Sequence, residues 1–284
     1  MKLIRYGKIG KEKPGLIDSQ GKLRDLSEHI DDIAGDALSP KTLAKIAKLK
    51  EKNLPLVKGK PRIGACVGAV GNFIAVGLNY ADHAAETGAP IPSEPILFNK
   101  APSCIVGPND AVIIPKNSQK TDWEVELAVV IGSRCSYVSE DEALDYVAGL
   151  ALCHDVSERE FQTERGGQWM KGKGCPTFGP LGPWLVTLDE IPDIQNLEMF
   201  LDVNGERMQR GNTKTMIFSV KHLVSYISQF MILLPGDVIT TGTPPGVCLG
   251  MKPPRFLKAG DTVSLGIEHL GRQAQHILAY DAQG

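Results

Sequence analysis

Asp122, Glu124 and Glu126 stand at every second position of TDWEVELAVVI, residues 121–131. Side chains on a strand alternate between faces, so these acids share one. Three like charges side by side on a strand face repel and oppose folding. A cation between two of them removes that cost. Oxygen donors select Mg2+, Mn2+ or Ca2+ over Zn2+, which prefers nitrogen and sulfur. Glu124 and Glu126 lie about 7 Å apart along the backbone, so both carboxylates can converge on one ion. A hard ion needs further oxygens. Asp155, in ALCHDVSERE, is the best-placed third acid, because an apolar run ends there and a short helix begins. Asp122 falls in the strand-entry turn and is read as the outsider. The competing reading makes Asp155 an extra helix cap and leaves the two glutamates on a solvated strand face.

His83 and Glu86 in ADHAAETG are three apart and share a face of a helical turn. A carboxylate beside an imidazole orients the ring and raises its basicity, which makes a water-activating base. A surface contact is the plainer alternative. The next stretch, GAPIPSEP, holds three prolines and a glycine. It reads as a flap able to close over a site, or as a simple surface loop. Arg159 and Gln162 share a face of the SEREFQ helix and can look into the cleft that Asp155 borders, or into solvent. WMKGKGC places Lys171 and Lys173 in a glycine-rich loop. In TTGTPPGV, Pro244 and Pro245 lack amide donors, so this is loop and not strand interior. Gly242 and Gly246 there allow close backbone approach to a ligand, and Thr243 offers a hydroxyl and an amide to a carboxylate.

The elements around these residues are mostly strands. NFIAVGLNY, ILFNK, DAVIIP, the acid-bearing stretch itself, GPWLVTLDEI, LEMFLDVNGERMQRG, DVITTGTPPGV and DTVSLGIEHLG are short apolar runs with turn residues between them. Asn204-Gly205 predicts a tight hairpin, and Asp18-Ser19-Gln20-Gly21 a turn between two strands. SEDEALDYVAG predicts a helix with a capping box from Ser139 to Glu142, and SEREFQ another from Ser157 to Glu160. MIFSVKHLVSYISQFMIL predicts a longer helix. The chain reads as α+β, mostly β, without the regular alternation of a doubly wound sheet. Residues 1–68 have a different texture, a strand, hairpin and helix unit, and are expected to form a small α/β subdomain before a catalytic domain over 69–284.

With 284 residues, 42 % of them hydrophobic, the chain can build a core without staples. A net charge of −2 with scattered Lys and Arg argues against a nucleic-acid partner. No stretch reaches the length of a membrane span, and the N-terminus has no apolar signal region. Six dispersed cysteines without a C-x-x-C pair suit free thiols in the cytoplasm.

EVE on a strand followed by Asp155-Val156-Ser157-Glu158-Arg159, together with VGLNYADHAAE (76–86) and PGDVITTGTPPGV (235–247), resembles the fumarylacetoacetate hydrolase family over residues 72–268. The resemblance implies a rolled mixed β-sheet, usually in a homodimer. It implies a divalent ion, Mg2+ or Mn2+, on Glu124, Glu126 and Asp155, with His83 and Glu86 as the catalytic pair and Lys173 as the active-site lysine. Lys100 matches a further basic position near the flap and is expected to contact the substrate. Arg159, Gln162, Gly242 and Thr243 are then the expected contacts of a small 2-oxo acid. His154 and Cys248 depart from the usual pattern, where Asn or Leu and Gly are commoner. The N-terminal MKLIRYG and PGLIDSQGKLRDL are similar to a bacterial branch that includes 2,4-diketo-3-deoxy-L-fuconate hydrolases, whose members often carry the label ureidoglycolate lyase. The implied reaction is hydrolysis of a C–C bond in a 2,4-dioxo acid of the acylpyruvate type, with 2,4-diketo-3-deoxy-L-fuconate or a similar sugar acid as the expected substrate, giving pyruvate and a carboxylic acid. Oxaloacetate decarboxylation, isomerisation or hydration of a 2-oxo acid, and ureidoglycolate cleavage are the rival activities. An inactive sugar-acid-binding protein is the non-enzymatic alternative. The dimer contact is expected on strand edges and on the MIFSVKHLVSYIS helix.

Overall fold

In a computed structural model, residues 1–88 and 90–281 are described. Ala89 of the expected flap and the last three residues of the expected catalytic domain lie outside them. The chain opens with β1 (Lys2–Tyr6), β2 (Lys13–Ile17), β3 (Leu23–Asp25) and helix α1 (Pro40–Ile46). Then come β4 (Phe73–Gly77), α2 (Ala81–Thr87), β5 (Ile96–Lys100), β6 (Ile105–Val106), β7 (Val112–Ile113), β8 (Thr121–Asp122) and β9 (Val125–Ile131). They are followed by β10 (Val147–His154), β11 (Ser157–Glu158), α3 (Arg159–Thr163), α4 (Met170–Lys173), β12 (Gly179–Pro180) and β13 (Leu185–Val186). The last elements are β14 (Glu198–Val203), β15 (Glu206–Asn212), α5 (Val220–Ile227), β16 (Val238–Thr240), β17 (Thr262–Ile267) and β18 (Gly271–Leu278).

Two mixed sheets carry the molecule. The larger has nine strands in the order β3-β2-β1-β13-β10-β9-β16-β4-β5, and the smaller has five, β15-β14-β17-β18-β7. β9 and β10 form the centre. Every residue of VELAVVI and VAGLALCH is buried, as expected of strands covered on both faces. β18 alternates buried and exposed residues, so the smaller sheet has one wet face. Its inner face packs against β9 and β10, and the core lies between the sheets. The first three strands extend the large sheet, since β1 pairs with β13. The architecture is mostly β, with rolled mixed sheets and short helices.

Several local expectations change. The helix predicted at SEDEALDYVAG is a single tight turn, Ala143–Tyr146, because the apolar run from Val147 is taken by the central sheet. Glu142 still reaches back to accept the Ser139 amide at 3.3 Å, as in a capping box, and takes the Ser139 hydroxyl at 2.7 Å. Ser157 is no cap. It pairs with Asp122 in the short β8–β11 ladder, and Glu158 caps α3 instead. The hairpin at Asn204-Gly205 forms with both residues at positive φ, the two-residue turn whose twist suits flanking strands. All six cysteines are free thiols. Among the described residues, no helix is long and apolar enough to cross a membrane.

Candidate active site and metal centre

Pairing of β9 with β10 brings the acids together. Glu126 lies opposite Cys153, and the Asp155 amide donates to the Glu124 carbonyl at 2.9 Å. One carboxylate oxygen each from Glu124, Glu126 and Asp155 then lies within 4.8 Å of the others. Their exposures are 5 %, 2 % and 0 %, so this is no solvated strand face. Asp122 stands aside as expected. Its carboxylate accepts from Arg159 Nε at 2.8 Å and from the Cys248 and Leu249 amides at 2.8 and 3.1 Å.

Cations surround two of the three acids. The Lys173 ammonium, at the end of α4, donates to Glu124 Oε2 at 2.5 Å and to Asp155 Oδ2 at 2.7 Å. Arg159 Nη2 donates to Glu124 Oε1 at 2.6 Å. Burial alone would raise the Glu124 carboxyl, but Lys173 and Arg159 outweigh it and hold it down at about 2. Glu126 is different. It accepts the Gly242 amide at 3.0 Å. Burial, and then the nearby charges of Asp155 and Glu124, push its carboxyl well above the usual range. A cluster of three buried carboxylates with one of them short of positive charge fits a divalent cation. The all-oxygen donor set suits a hard ion such as Mg2+ or Mn2+.

The cluster opens on a cavity of about 210 Å³. Glu124, Glu126, Arg159, Gln162, Lys173, Gly242, Thr243 and His83 line it. His83 Nδ1 lies 3.1 Å from Glu86 Oε2, and Glu86 in turn accepts the Gly246 amide at 3.0 Å. The helix α2 and the TGTPPGV loop therefore hold the His–Glu pair jointly. Three expected substrate contacts sit differently from their sequence reading. Lys100 is sealed beneath the cluster, donating to Asp155 Oδ1 and to the Lys173 carbonyl, both at 2.5 Å. The Gly242 amide is used by Glu126. The Thr243 hydroxyl donates to the Val125 carbonyl at 2.9 Å. Lys171 turns outward and donates to the Arg165 carbonyl at 2.6 Å.

Sequence reasoning missed Gln209. From the smaller sheet it accepts the Val125 amide at 2.9 Å and donates to Thr243 Oγ1 at 2.9 Å, which ties the acid-bearing strand to the loop. Nothing in the local pattern ERMQRGN marks it. Trp169 was missed too, although an indole beside the WMKGKGC lysine was visible as a signal. His154 faces away from the cavity side, with Nδ1 at 3.0 Å from Gln275 Oε1, and burial lowers its imidazole to about 4.

The profile described as fumarylacetoacetate (FAA) hydrolase C-terminal matches residues 72–278. The chain belongs to this family. A protein of Burkholderia orbicola (strain MC0-3), bearing the provisional name of hydrolase, is 63 % identical over 276 residues, covering 97 % of this chain and 98 % of its own. Among solved structures, the fumarylacetoacetate hydrolase of Exiguobacterium antarcticum superposes with a TM-score of 0.85 at 33 % identity, covering 99 % of this chain and 100 % of that one. A 2-hydroxyhepta-2,4-diene-1,7-dioate isomerase from Mycobacterium marinum gives 0.77 at 31 % identity, with 98 % of each chain covered. The maleylpyruvate hydrolase of Sphingobium sp. SYK-6, solved with manganese(II) and pyruvate, gives 0.81 at 24 % identity, covering 99 % of this chain and 100 % of its own; that likeness is one of fold.

Proposed function

We propose that this chain hydrolyses the bond between carbons 3 and 4 of a 2,4-dioxo acid of the acylpyruvate type, releasing pyruvate and a carboxylic acid. The observation that carries the reading is the buried Glu124–Glu126–Asp155 cluster, whose two glutamates share one cavity with His83, itself held by Glu86. Glu124, Glu126 and Asp155 would hold a divalent ion, which would supply Lewis acidity toward a 2-oxo acid. The His83 imidazole, held by Glu86 through Nδ1, takes the proton from water. The water oxygen adds to carbon 4, and the carbon 3–carbon 4 bond breaks with its electron pair left on the pyruvate fragment. Lys173 brings positive charge toward that fragment. A proton on carbon 3 completes pyruvate, and carbon 4 leaves as a carboxylate.

Isomerisation is the second reading, favoured by the likeness to the Mycobacterium marinum isomerase. Turnover of an acylpyruvate in oxygen-18 water separates the two. Hydrolysis places the label in the carboxylic acid product; isomerisation forms no such acid. His83→Ala is expected to fold and to lose about 10²- to 10⁴-fold in turnover. Retained turnover in that variant, or an acid product without label, overturns the proposal.

A further inference from the structure

Asp122 stands outside the metal-binding set, yet it is as fully buried as Asp155. Four donors converge on its carboxylate. Oδ1 accepts the Trp123 amide at 2.7 Å and the Cys248 amide at 2.8 Å. Oδ2 accepts the Leu249 amide at 3.1 Å and Arg159 Nε at 2.8 Å. A buried charge is tolerated when it is paired and hydrogen-bonded, and this one is met on both oxygens. What it joins belongs to two parts of the site. Arg159 goes on to Gln162 through Nη1 at 3.0 Å and to Glu124 through Nη2 at 2.6 Å. The 248–249 backbone continues the TGTPPGV loop, whose Gly246 amide lies 3.0 and 3.2 Å from the two oxygens of Glu86.

Trp123 fixes the same loop. Its indole is buried and donates Nε1 to the Gly246 carbonyl at 3.0 Å. Gly246 is thus held at both backbone polar groups, the amide by Glu86 and the carbonyl by Trp123. Its surroundings leave no slack. A Cβ there would stand 1.9 Å from the Met208 carbonyl oxygen, and one on Gly250 2.9 Å from the Glu86 carboxyl carbon. Glu86 in turn holds His83 Nδ1 at 3.1 Å. Two short chains of contacts therefore run from the residues just before Glu124 to the imidazole, one through the Gly246 carbonyl and one through the Cys248 and Leu249 amides.

From these contacts, and resting on the proposed reading that His83 activates water, we infer that Asp122 and Trp123 are positioning residues of the reaction. Through the 246–249 backbone they set Glu86, and with it the His83 ring, against the acid-bearing strand. Asp122 also aims the Arg159 guanidinium at Glu124. Neither residue lines the cavity, so both act through others. An asparagine at 122 has the shape of aspartate without its capacity. Only one of its two polar atoms accepts. Its NH2 would meet either the Trp123 and Cys248 amides or the Leu249 amide and Arg159, donor against donor. A shift of about 1 Å in a catalytic group is enough to cost about 10²-fold in rate.

Asp122→Asn, Trp123→Phe and a control separate positioning from mere support. The control is Asp237→Asn. Asp237 is another buried carboxylate, accepting the Asn72 and Leu234 amides at 2.7 and 2.8 Å, at the end of β16 away from the loop. All three variants are expected to melt lower. Only the first two are expected to raise amide hydrogen exchange over 246–249, by about tenfold or more. Only these two are expected to lower kcat, by about 10²-fold for Asp122→Asn and less for Trp123→Phe. Exchange and kcat that change no more than in Asp237→Asn would overturn the inference, as would raised exchange with kcat kept. Should Asp122→Asn not fold, Trp123→Phe decides by the same two readings. If the unaltered protein cleaves no dioxo acid, the hydrolase reading falls, and exchange over 246–249 alone judges the link.

Discussion

Glu124 and Glu126 are the same residue type on one strand face, yet their surroundings differ. Glu124 is clamped by Lys173 and Arg159, whereas Glu126 faces two other carboxylates. Glu124→Gln strips a counter-charge from two buried cations and is expected to destabilise the metal-free protein by on the order of 3 kcal/mol. Glu126→Gln keeps an acceptor for the Gly242 amide and removes like-charge repulsion, so its metal-free melting temperature is expected to hold or rise. Both variants are expected to lose the stabilisation that Mg2+ or Mn2+ confers. Equal destabilisation of the two in thermal melts would contradict this division. The raised Glu126 carboxyl also has a sign. A carboxyl raised above its usual range holds its proton to higher pH than a free one, and a cation must displace it. Affinity for the metal is therefore expected to climb with pH, with on the order of one proton released per ion. Calorimetry in buffers of different ionisation enthalpy measures that number, and zero would be against it. At this scale the sequence was legible where spacing carries meaning, at the alternating acids and the His83–Glu86 step. It was silent on Gln209 and on the burial of Lys100, because a partner from a distant strand leaves no local mark.

At the scale of elements, α4 sets the Lys173 ammonium by its fit against α3. Gly172 makes that fit. A Cβ there would lie 2.3 Å from the Glu158 carbonyl oxygen and 2.6 Å from the Gln162 amide nitrogen. Gly172→Ala is expected to push α4 off α3, cost about 1–3 kcal/mol and lower turnover through displaced Lys173. An unchanged melt with unchanged kcat would show that the contact is slack. Elements were read well where a turn dictates geometry, as at Asn204-Gly205. They were misread where tertiary pairing overrides a local pattern. The capping-box signal at Ser139 was real, yet the residues after it are worth more as the central strand β10 than as helix, because their apolar side chains fill both faces of the sheet. Ser157 was likewise recruited by the Asp122 ladder before it could cap α3.

For the whole molecule, an apolar surface remains uncovered beside α5. Phe230, Ile232 and Leu234 are 62 %, 46 % and 48 % exposed, and Tyr137, on the segment paired with theirs, is 79 % exposed. The homodimer expected from the resemblance would cover them, on the face where the helix contact was anticipated. Sedimentation equilibrium is expected to find a dimer that Phe230→Asp weakens; a native monomer would leave this surface without that role. The two sheets matter to the chemistry because they deliver its parts: acids from the start of β9 and just past the end of β10 in the larger, the clamp of Gln209 from β15 in the smaller, with the His–Glu pair added by α2. Together these parts are proposed to cleave a dioxo acid with the help of a divalent ion. The most direct measurement is pyruvate released from an alkyl acylpyruvate with Mg2+, with Mn2+ and with chelator. Pyruvate in the first two and none in the third is the expected result. Pyruvate unaffected by chelator, or none under any condition, would contradict it.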